Sequence, residues 1–466
     1  MFKPELLSPA GTLKNMRYAF AYGADAVYAG QPRYSLRVRN NEFNHENLQL
    51  GINEAHALGK KLYVVCNIQP HNSKLKTFLR DIEPVINMGP DALIMSDPGL
   101  IMMVREHFPH MPIHLSVQAN AVNWATVKFW QQQGIERVIL SRELSLDEIE
   151  DIRFHVPEME LEVFVHGALC MAYSGRCLLS GYINKRDPNQ GTCTNSCRWK
   201  YDAHEAKENE NGDVVAVDPQ IFVPDSAQAE PKIVTPTLGQ GEPTDQIFLL
   251  QEQGRPGEYM PAFEDEHGTY IMNSKDLRAI EHVERLTKMG VHSLKIEGRT
   301  KSFYYCARTA QIYKQAIEDA VAGRPFDPSL KTTLESLAHR GYTEGFLRRH
   351  NHSEAQNYDY GYSISTHQQF VGEIKGRNDS NGLVEVEVKN KFLVGDSLEV
   401  MTPSGNITLT LEHMQNRKGE AIDDAKGSGH IVYMALPQEL NLEHALIMRN
   451  LPENADTRNP HAATPA

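Results

Sequence analysis

Short apolar runs alternate with amphipathic segments along most of residues 1–322. The amphipathic segments carry apolar residues at helical spacing and end at a glycine, as at Gly23, Gly59 and Gly134. The apolar runs are the predicted strands ELLSPAG, ADAVYAG, KLYVVCNI, DALIMSD, IHLSVQAN, RVILSRE, EVFVHGAL and, after a long interruption, HSLKIEGR. Strands that alternate with helices in this way predict an α/β fold in which residues 1–322 form a (β/α)8 TIM-like barrel.

An open, doubly wound sheet is the alternative arrangement of such units. That fold normally carries a glycine-rich phosphate loop after its first strand. The first predicted strand here ends in Ser8-Pro9-Ala10-Gly11, which lacks that spacing of glycines. The pattern therefore favours the barrel.

The pattern changes after the seventh predicted strand. Residues 198–268 are rich in Pro, Gly and acidic side chains, and they predict an acidic, partly mobile insertion on the catalytic face of the barrel. Residues 323–365 predict a helical linker. Residues 366–452 alternate apolar and polar positions between turns such as Asn381-Gly382, which predicts a small all-β domain, a barrel or a sandwich. We expect residues 453–466 to be a disordered tail.

Composition and charge narrow the class of protein. A hydrophobic content of 41% and a charged content of 23% are ordinary for a globular enzyme. No apolar stretch resembles a signal or reaches transmembrane length, so we expect a soluble, cytoplasmic protein without membrane contact. The net charge of −13 disfavours nucleic acid as a partner, but residues 203–267 hold fourteen acidic and three basic residues and so account for −11 of it. An RNA partner is compatible with the remainder.

Polar side chains recur at the predicted carboxyl ends of the strands, which form the active-site mouth of such barrels. The candidates for catalysis or binding are Glu5, Asn67, Arg142, His166, Lys295, Glu297 and Arg299. In the string Lys295-Ile-Glu297-Gly-Arg299, alternate residues are predicted to point into the mouth, so Glu297 is a candidate acid or base, or a partner for a basic group. A core histidine with a satisfied hydrogen bond is the competing interpretation of His166.

Cysteines supply the most specific chemical signal. Four of the six fall within 28 residues, at Cys170, Cys177, Cys193 and Cys197. Because a cytoplasmic protein keeps its thiols reduced, this crowding predicts a shared metal or an iron–sulfur cluster rather than disulfides. The intervals of six, fifteen and three residues leave zinc open but favour an iron–sulfur cluster, and inert buried thiols are the remaining alternative. We expect the other two cysteines, Cys66 and Cys306, to lie in the core.

The residues around the first two of these cysteines read EVFVHGALCMAYSGRCLLS, from Glu162 to Ser180. This string resembles the signature of the collagenase-like U32 peptidases, a family of unassigned catalytic type. The resemblance runs over nearly the whole chain, from LLSPAG through KIEGR to the C-terminal β domain. The strings NKRDPNQGTC, KIEGRTKSFYY and GYTEGF resemble the tRNA-modifying members of the family.

Members of this family include hydroxylases that work without molecular oxygen, use prephenate and hold a four-iron cluster on four cysteines. Carried over to this chain, the resemblance implies prephenate-dependent hydroxylation of the wobble uridine of tRNA to 5-hydroxyuridine. It implies a 4Fe–4S cluster whose ligands are Cys170, Cys177, Cys193 and Cys197. Prephenate, as co-substrate, carries two carboxylates, for which Arg142 and Arg299 are the best-placed guanidinium groups. The implied partners are the anticodon loop of tRNA and an unidentified electron donor.

Two other functions remain open. The family name suggests a peptidase, but the sequence has no His-Glu-x-x-His motif, and four cysteines are an unusual way to build one nucleophile. A zinc-stabilised RNA-binding protein without catalysis would not explain the polar barrel mouth. It would explain the C-terminal β domain, for which the candidate phosphate contacts are Arg348, Arg349, Lys389 and Lys391.

Overall fold

The computed structural model describes residues 2–31, 33–36, 41–169, 275–339, 341–348, 367–427 and 429–451, together with the backbone of short strands between 201 and 269. The strands are β1 Glu5–Pro9, β2 Ala26–Gly30, β3 Lys61–Cys66, β4 Ala92–Met95, β5 Ile113–Leu115, β6 Arg137–Ile139, β7 Glu160–Ala168, β8 Tyr201–Glu208, β9 Val214–Ala216, β10 Phe248–Glu252, β11 Tyr259–Ala262, β12 Glu264–Asp265, β13 Gly268–Thr269, β14 Asp276–Arg278, β15 Ser293–Ile296, β16 Tyr342–Thr343, β17 Gln368–Arg377, β18 Val384–Val388, β19 Phe392–Leu393, β20 Ser397–Thr402, β21 Gly405–Thr410, β22 Met414–Gln415, β23 Asp424–Ala425, β24 Ile431–Met434 and β25 Leu446–Asn450.

The α-helices are α1 Leu13–Ala21, α2 His45–Ala57, α3 Asn72–Asn87, α4 Pro98–His107, α5 Trp124–Gln132, α6 Leu146–His155, α7 Val283–Lys288, α8 Phe303–Val321 and α9 Pro328–Glu335. Single 3₁₀ turns lie at Val117–Ala119 and Ile280–His282. Within the described part of the chain, no helix has the length and apolar character that a membrane crossing requires.

Eight parallel strands close into a barrel. Strands β1 to β7 pair in sequence order, and β15 pairs with both β7 and β1 to complete the ring. Seven of these strands lie within a predicted one, and β7 begins two residues before its predicted strand, so the barrel is confirmed. Helices α1, α2 and α5 each end just before the predicted glycine, where Gly23, Gly59 and Gly134 adopt positive φ.

The chain between β7 and β15 adds antiparallel strands to the barrel. In the described backbone, β11, β10, β8 and β9 form one sheet in that order, and β12 pairs with β13. Strand β14 pairs antiparallel with the end of β7, and β16 pairs parallel with β14. The acidic composition of this insertion predicted a loop and did not predict these strands.

An antiparallel sheet forms the C-terminal domain, in the strand order β21–β20–β25–β17–β18–β24–β22. Its apolar core includes Val371, Val386, Val400 and Ile447. The sequence predicted most of this sheet but missed β25, which lies at its centre between β20 and β17. In the described residues, no pairing joins the outer strands β21 and β22.

Helix α8 lies between the barrel and the C-terminal sheet. Its fully buried Arg308 faces Glu399 of β20, with nitrogen–oxygen distances of 3.0 and 3.1 Å in a two-pronged ion pair. The ring of Tyr304 stacks on Phe370 of β17 at a centroid distance of 5.0 Å. On α1, the Tyr22 hydroxyl lies 3.0 Å from the backbone oxygen of Met401. Polar and apolar contacts therefore join the two domains into one packed unit.

The buried ion pair predicts how much the contact between the two domains contributes to the free energy of unfolding. We expect Arg308→Met to lower the free energy of unfolding by about 3 kcal/mol, because Glu399 would remain buried without its cation. Arg17→Met is the matched control, since Arg17 pairs with Glu54 at the surface with 46% of its side chain exposed, and it should cost less than about 1 kcal/mol. Urea denaturation measures both, and equal losses would contradict the assignment.

Candidate functional site at the barrel mouth

A chain of ion pairs fills the barrel interior below the mouth. Arg137, the first residue of β6, lies 2.6 Å from Glu5 and 3.3 Å from Glu162, measured from nitrogen to oxygen. The ammonium group of Lys295 lies 2.8 Å from the other oxygen of Glu162. The Glu162 side chain has no exposed surface. Because an isolated charge is costly to bury, each of these groups depends on its partners.

Glu5 lies at the foot of the barrel, so its predicted position at the mouth is wrong. It is the first residue of β1 and pairs in register with Ser293, the first residue of β15. Its carboxylate accepts a hydrogen bond from the Tyr63 hydroxyl at 2.8 Å and neutralises Arg137. The sequence pattern misled because polar residues at both ends of a barrel strand can face the interior. This placement gives Glu5 a structural role and no contact with the mouth.

Lys295 lies between the foot and the mouth. Besides its contact with Glu162, its ammonium group lies 4.3 Å from the centroid of the Tyr28 ring. Burial lowers its pKa, although the neighbouring carboxylate opposes that shift. Lys295 therefore adds a cation directly below the mouth residues.

Glu297, Arg142 and Tyr28 meet at the mouth itself. The closest nitrogen of Arg142 lies 3.7 Å from Glu297, and the Tyr28 hydroxyl lies 3.2 Å from the same carboxylate. The guanidinium of Arg142 lies 3.9 Å from the centroid of the Phe164 ring. An arginine has five N–H donors, and these contacts with described residues do not use all of them. The arrangement can bind a carboxylate or phosphate beside a group that can exchange a proton.

Arg299 and Asn67 hold one segment of the mouth from two sides. Arg299 donates to the backbone oxygen of Leu36, and the Asn67 side-chain oxygen accepts from the Leu36 N–H at 3.0 Å. Asn67 also donates to Gln118 at 3.0 Å. A Cβ atom at Gly30 would lie 2.4 Å from the guanidinium of Arg299, so a larger residue at this end of β2 would displace that side chain. Both predicted binding residues therefore order the segment that follows β2.

His166 points away from the mouth, contrary to its predicted position. Lys295 pairs with Phe164 but the next residue of β15 pairs with His166, so β7 carries one extra residue, Val165. Such a bulge turns the following side chain to the opposite face of the strand. The hydroxyl of Tyr313 on α8 donates to the Val165 oxygen at 2.7 Å, which leaves the hydroxyl oxygen to accept from His166 Nδ1 at 3.3 Å.

Aromatic side chains surround His166 between the barrel and α8. The ring centroids of Tyr305, Tyr313 and Tyr342 lie 5.4 to 5.9 Å from its own. Burial lowers the pKa of His166 to about 3, so the imidazole is neutral at physiological pH. The core interpretation of this histidine is the one that the structure supports.

The ends of β7 and β15 touch through their backbones. A Cβ atom at Gly167, where φ is +106°, would lie 2.4 Å from the backbone oxygen of Glu297. That same oxygen accepts a hydrogen bond from the Tyr305 hydroxyl at 2.7 Å. Only glycine permits this approach. The contact holds Glu297 beside the point where β7 leads towards Leu169 and the cysteine segment.

Cys66 and Cys306 are fully buried, which confirms the prediction that they are core residues. Burial raises the pKa of both thiols to about 12, so neither is a thiolate near neutral pH. The predicted ligands Cys170, Cys177, Cys193 and Cys197 lie outside the described residues, as do the predicted tail and most of the insertion.

The sequence predicted four basic residues as phosphate contacts. Each of those that the structure describes forms an ion pair with an acidic neighbour. Arg348 lies 2.8 Å from Glu344, and Lys391 lies 3.7 Å from Asp424. Lys389 contacts two glutamates of the C-terminal sheet. The fourth candidate, Arg349, lies outside the described residues.

Sequence reasoning assigned no catalytic or binding role to three residues that order the mouth: Tyr28, Gln118 and Tyr305. The first two lie in predicted strand ends, so the signal that selected Asn67 and Arg142 was available for them. Tyr305 lies on α8 and reaches Glu297 only through tertiary packing, for which a single sequence carries no pattern.

Two family models match the chain. The model described as peptidase family U32 matches residues 11–357, and that of the peptidase family U32 C-terminal domain matches residues 366–449. The chain belongs to the U32 peptidase family. The first match begins just after β1 and covers the rest of the barrel with its insertion, and the second covers most of the antiparallel sheet.

Several U32 relatives are named for RNA hydroxylation. The chain is 74% identical to the tRNA hydroxylation protein P of Escherichia coli (strain K12), over 99% of this chain and 100% of that protein. It is 32% identical to the tRNA hydroxylation protein P1 of Bacillus subtilis (strain 168), over 94% and 93% of the two chains. It is 29% identical to the 23S rRNA 5-hydroxycytidine C2501 synthase of Escherichia coli (strain K12), over 85% of this chain and 52% of that one.

The burial of His166 predicts a pH dependence of stability. The folded state holds its pKa near 3, while an unfolded chain binds a proton near pH 6.5, so the unfolded state takes up more protons between these values. This contribution to stability is complete above pH 6.5 and is lost as the pH falls towards 3. Relative to His166→Phe, the wild type should lose about 2 kcal/mol of unfolding free energy between pH 7 and pH 5.

Urea denaturation at the two pH values measures this difference directly. The phenylalanine variant is the control, because it keeps an aromatic ring among the tyrosines but cannot titrate. Parallel pH profiles for the two proteins would show that His166 is not held neutral by the fold.

Proposed function

We propose that this chain is a tRNA-modifying hydroxylase. The observation that carries the proposal is its 74% identity, across 99% of its length, to a protein named for tRNA hydroxylation. A more distant relative is named for the synthesis of 5-hydroxycytidine in ribosomal RNA, so hydroxylation of a pyrimidine base recurs among the relatives. In finer detail, we propose that the substrate is the wobble uridine in the anticodon loop and the product is 5-hydroxyuridine. The reaction would use prephenate and no molecular oxygen.

A redox cofactor is needed for this chemistry, since no amino-acid side chain supplies one for oxidation of a pyrimidine carbon. The donor set fits a 4Fe–4S cluster, because four thiolates from Cys170, Cys177, Cys193 and Cys197 satisfy its four irons. The first of these follows Leu169, at the end of the strand whose backbone contacts Glu297. The cluster would supply electron transfer between the bound substrates and an unidentified redox partner.

The mouth residues have different proposed roles. Arg142 would bind a carboxylate of prephenate, since its ion pair with Glu297 is long at 3.7 Å and the group is a planar fork. Glu297 would orient Arg142. Its carboxylate, which accepts a hydrogen bond from the Tyr28 hydroxyl, would also exchange a proton with the bound substrate. Arg299 and Asn67 would shape the pocket by holding Leu36, and Lys295 would add positive charge from below.

The peptidase alternative receives little support from the mouth. A peptidase site needs a nucleophile with an oriented base, or a metal that activates water. His166, a candidate catalytic residue from the sequence, instead faces a group of tyrosines outside the barrel interior. The metal analysis that tests the cluster also tests the alternative of a zinc-stabilised RNA-binding protein.

Metal analysis of protein purified without oxygen tests the cluster. We expect about four irons and four sulfides per chain, with visible absorption, and their loss in a Cys170→Ala, Cys177→Ala variant. The control is Cys66→Ala, which removes a buried thiol and should keep the iron. Stoichiometric zinc, or a folded protein without metal, would overturn the redox proposal.

A second prediction concerns the co-substrate. Arg142→Gln should raise the KM for prephenate at least tenfold in tRNA hydroxylation while the iron content stays unchanged, because the loss of a bidentate carboxylate contact costs about 1.5–3 kcal/mol. Arg105→Gln, which removes an arginine engaged by backbone oxygens of Met111 and Gly134, should leave this KM unchanged. An unaltered KM in the Arg142 variant would assign prephenate binding to another group.

A further inference from the structure

The C-terminal sheet carries a group of lysines to the rim of the barrel mouth. Strand β17 follows α8 and α1, since Gln368 at its start contacts Arg308, while Glu373 further along contacts Lys14 at 2.6 Å. Arg308 lies more than one turn inside α8, whereas Lys14 lies in the first turn of α1. Helices that follow barrel strands begin at the mouth. Strand β17 therefore runs towards the mouth side of the barrel, and Glu373 lies level with the first turns of α1.

Three ammonium groups meet there, on Lys14, Lys375 and Lys389, and we refer to them as the rim lysines. Lys375 lies 2.7 Å from Glu387 and 3.3 Å from Glu373, and Lys389 contacts the same two carboxylates at 2.5 and 3.8 Å. Three cations thus share two carboxylates. The group is contributed by both domains, because Lys14 belongs to α1.

The cations lie outside the carboxylates. The side chains of Lys14 and Lys375 are 40% and 38% exposed, and that of Lys389 is 25% exposed. Glu373 is only 8% exposed, and Glu387 is 27% exposed. The surface that solvent meets is therefore mainly ammonium, held in place from beneath.

The ion pairs favour the charged forms of Glu373, Glu387 and Lys375. Hydrogen bonds from Lys375 and Lys389 lower the pKa of Glu387 to about 2, and the same contacts raise the pKa of Lys375. The pKa of Glu373 is also lowered by Lys14 and Lys375, although burial opposes that shift. Lys375 therefore remains protonated, and the ion pairs order the long side chains of the rim lysines before any partner binds.

We propose that the rim lysines bind the phosphate backbone of the substrate tRNA outside the anticodon loop. The inference rests on the proposed function, which brings the loop to the mouth. A stem that leads into the mouth must pass its rim, where backbone contacts set position without reading sequence. The net charge of the chain is −13, so most of its surface does not attract an RNA backbone. A fixed cationic group at this edge is therefore a favourable place for the backbone to bind.

Binding of unmodified tRNA transcript to a Lys375→Gln, Lys389→Gln variant tests the inference. Both changes lie in the C-terminal sheet and leave the Arg308 ion pair and the mouth residues intact. At about 0.15 M salt we expect affinity to fall about tenfold, and the slope of log K against log salt to decrease by about 1 to 2. A Lys375→Arg, Lys389→Arg variant keeps the charges and should bind like the wild type.

The matched control is Lys288→Gln, Lys314→Gln. These lysines are 55% and 26% exposed, and each pairs with a glutamate four residues earlier or later on its own helix, away from the mouth. The control should keep the affinity and salt slope of the wild type. Melting curves should show that all variants are folded.

The outcomes separate the two proposals. Wild-type affinity and slope in the glutamine variant would overturn the role of the rim lysines while leaving the proposed function intact. Failure of the wild type itself to bind tRNA at low salt would overturn both. An equal loss in the control and in the glutamine variant would also overturn the inference, because it would assign the effect to overall charge.

Discussion

The closed barrel depends on the buried carboxylate of Glu162. It lies in the interior with no exposed surface and pairs with Arg137 of β6 and Lys295 of β15, while Arg137 also reaches Glu5 of β1. These strands flank the point where the ring closes, and a long insertion separates β7 from β15 in sequence. A buried charge without its partner is strongly unfavourable, so the network favours the one strand register that brings the charges together. The residues of the mouth lie directly above these ion pairs.

The extra residue in β7, Val165, determines which side chains of this strand face the barrel interior and which face α8. Up to Phe164, alternate side chains of this strand face the interior, where Glu162 holds Lys295 and Phe164 lies beneath Arg142. After Val165 the alternation is reversed, and His166 enters the aromatic layer under α8. The strand then reaches Gly167, whose missing side chain lets its backbone touch that of Glu297. The bulge therefore turns His166 into the aromatic layer under α8. It also places the end of β7, which leads towards the cysteine segment, against the mouth.

Helix α8 couples the barrel to the C-terminal sheet. One of its residues, Tyr305, bonds to the backbone at Glu297, and another, Arg308, pairs with Glu399 of the sheet. The same packing directs β17 towards the mouth side of the barrel, where the rim lysines lie. The position of the C-terminal domain is thus tied to the geometry of the mouth through α8, and α1 adds further contacts with the sheet.

The amino-acid sequence by itself determined the elements and their order. Alternating apolar runs and helix-ending glycines were enough for the eight barrel strands, because each signal is local and is set by burial of one face or by backbone conformation. The crowding of four cysteines likewise indicated chemistry without any structure. Among the selected mouth residues, Arg142 and Glu297 do meet there.

Only the tertiary structure decided which way the polar side chains point. His166 was assigned to the wrong face because a bulge is a property of pairing with a neighbouring strand. Glu5 was assigned to the wrong end of its strand although it is the first residue of the predicted strand ELLSPAG, so the sequence already placed it away from the carboxyl end. The central strand β25 and the contact of Tyr305 with Glu297 were missed as well. The partners of β25, strands β17 and β20, are distant in sequence, and such pairing leaves no periodicity in a single chain. Tyr305 meets Glu297 across the turn from β15 to α8, where neither the strand period nor the helix period continues. Local patterns therefore specify elements, whereas the site is specified by the register in which those elements pack.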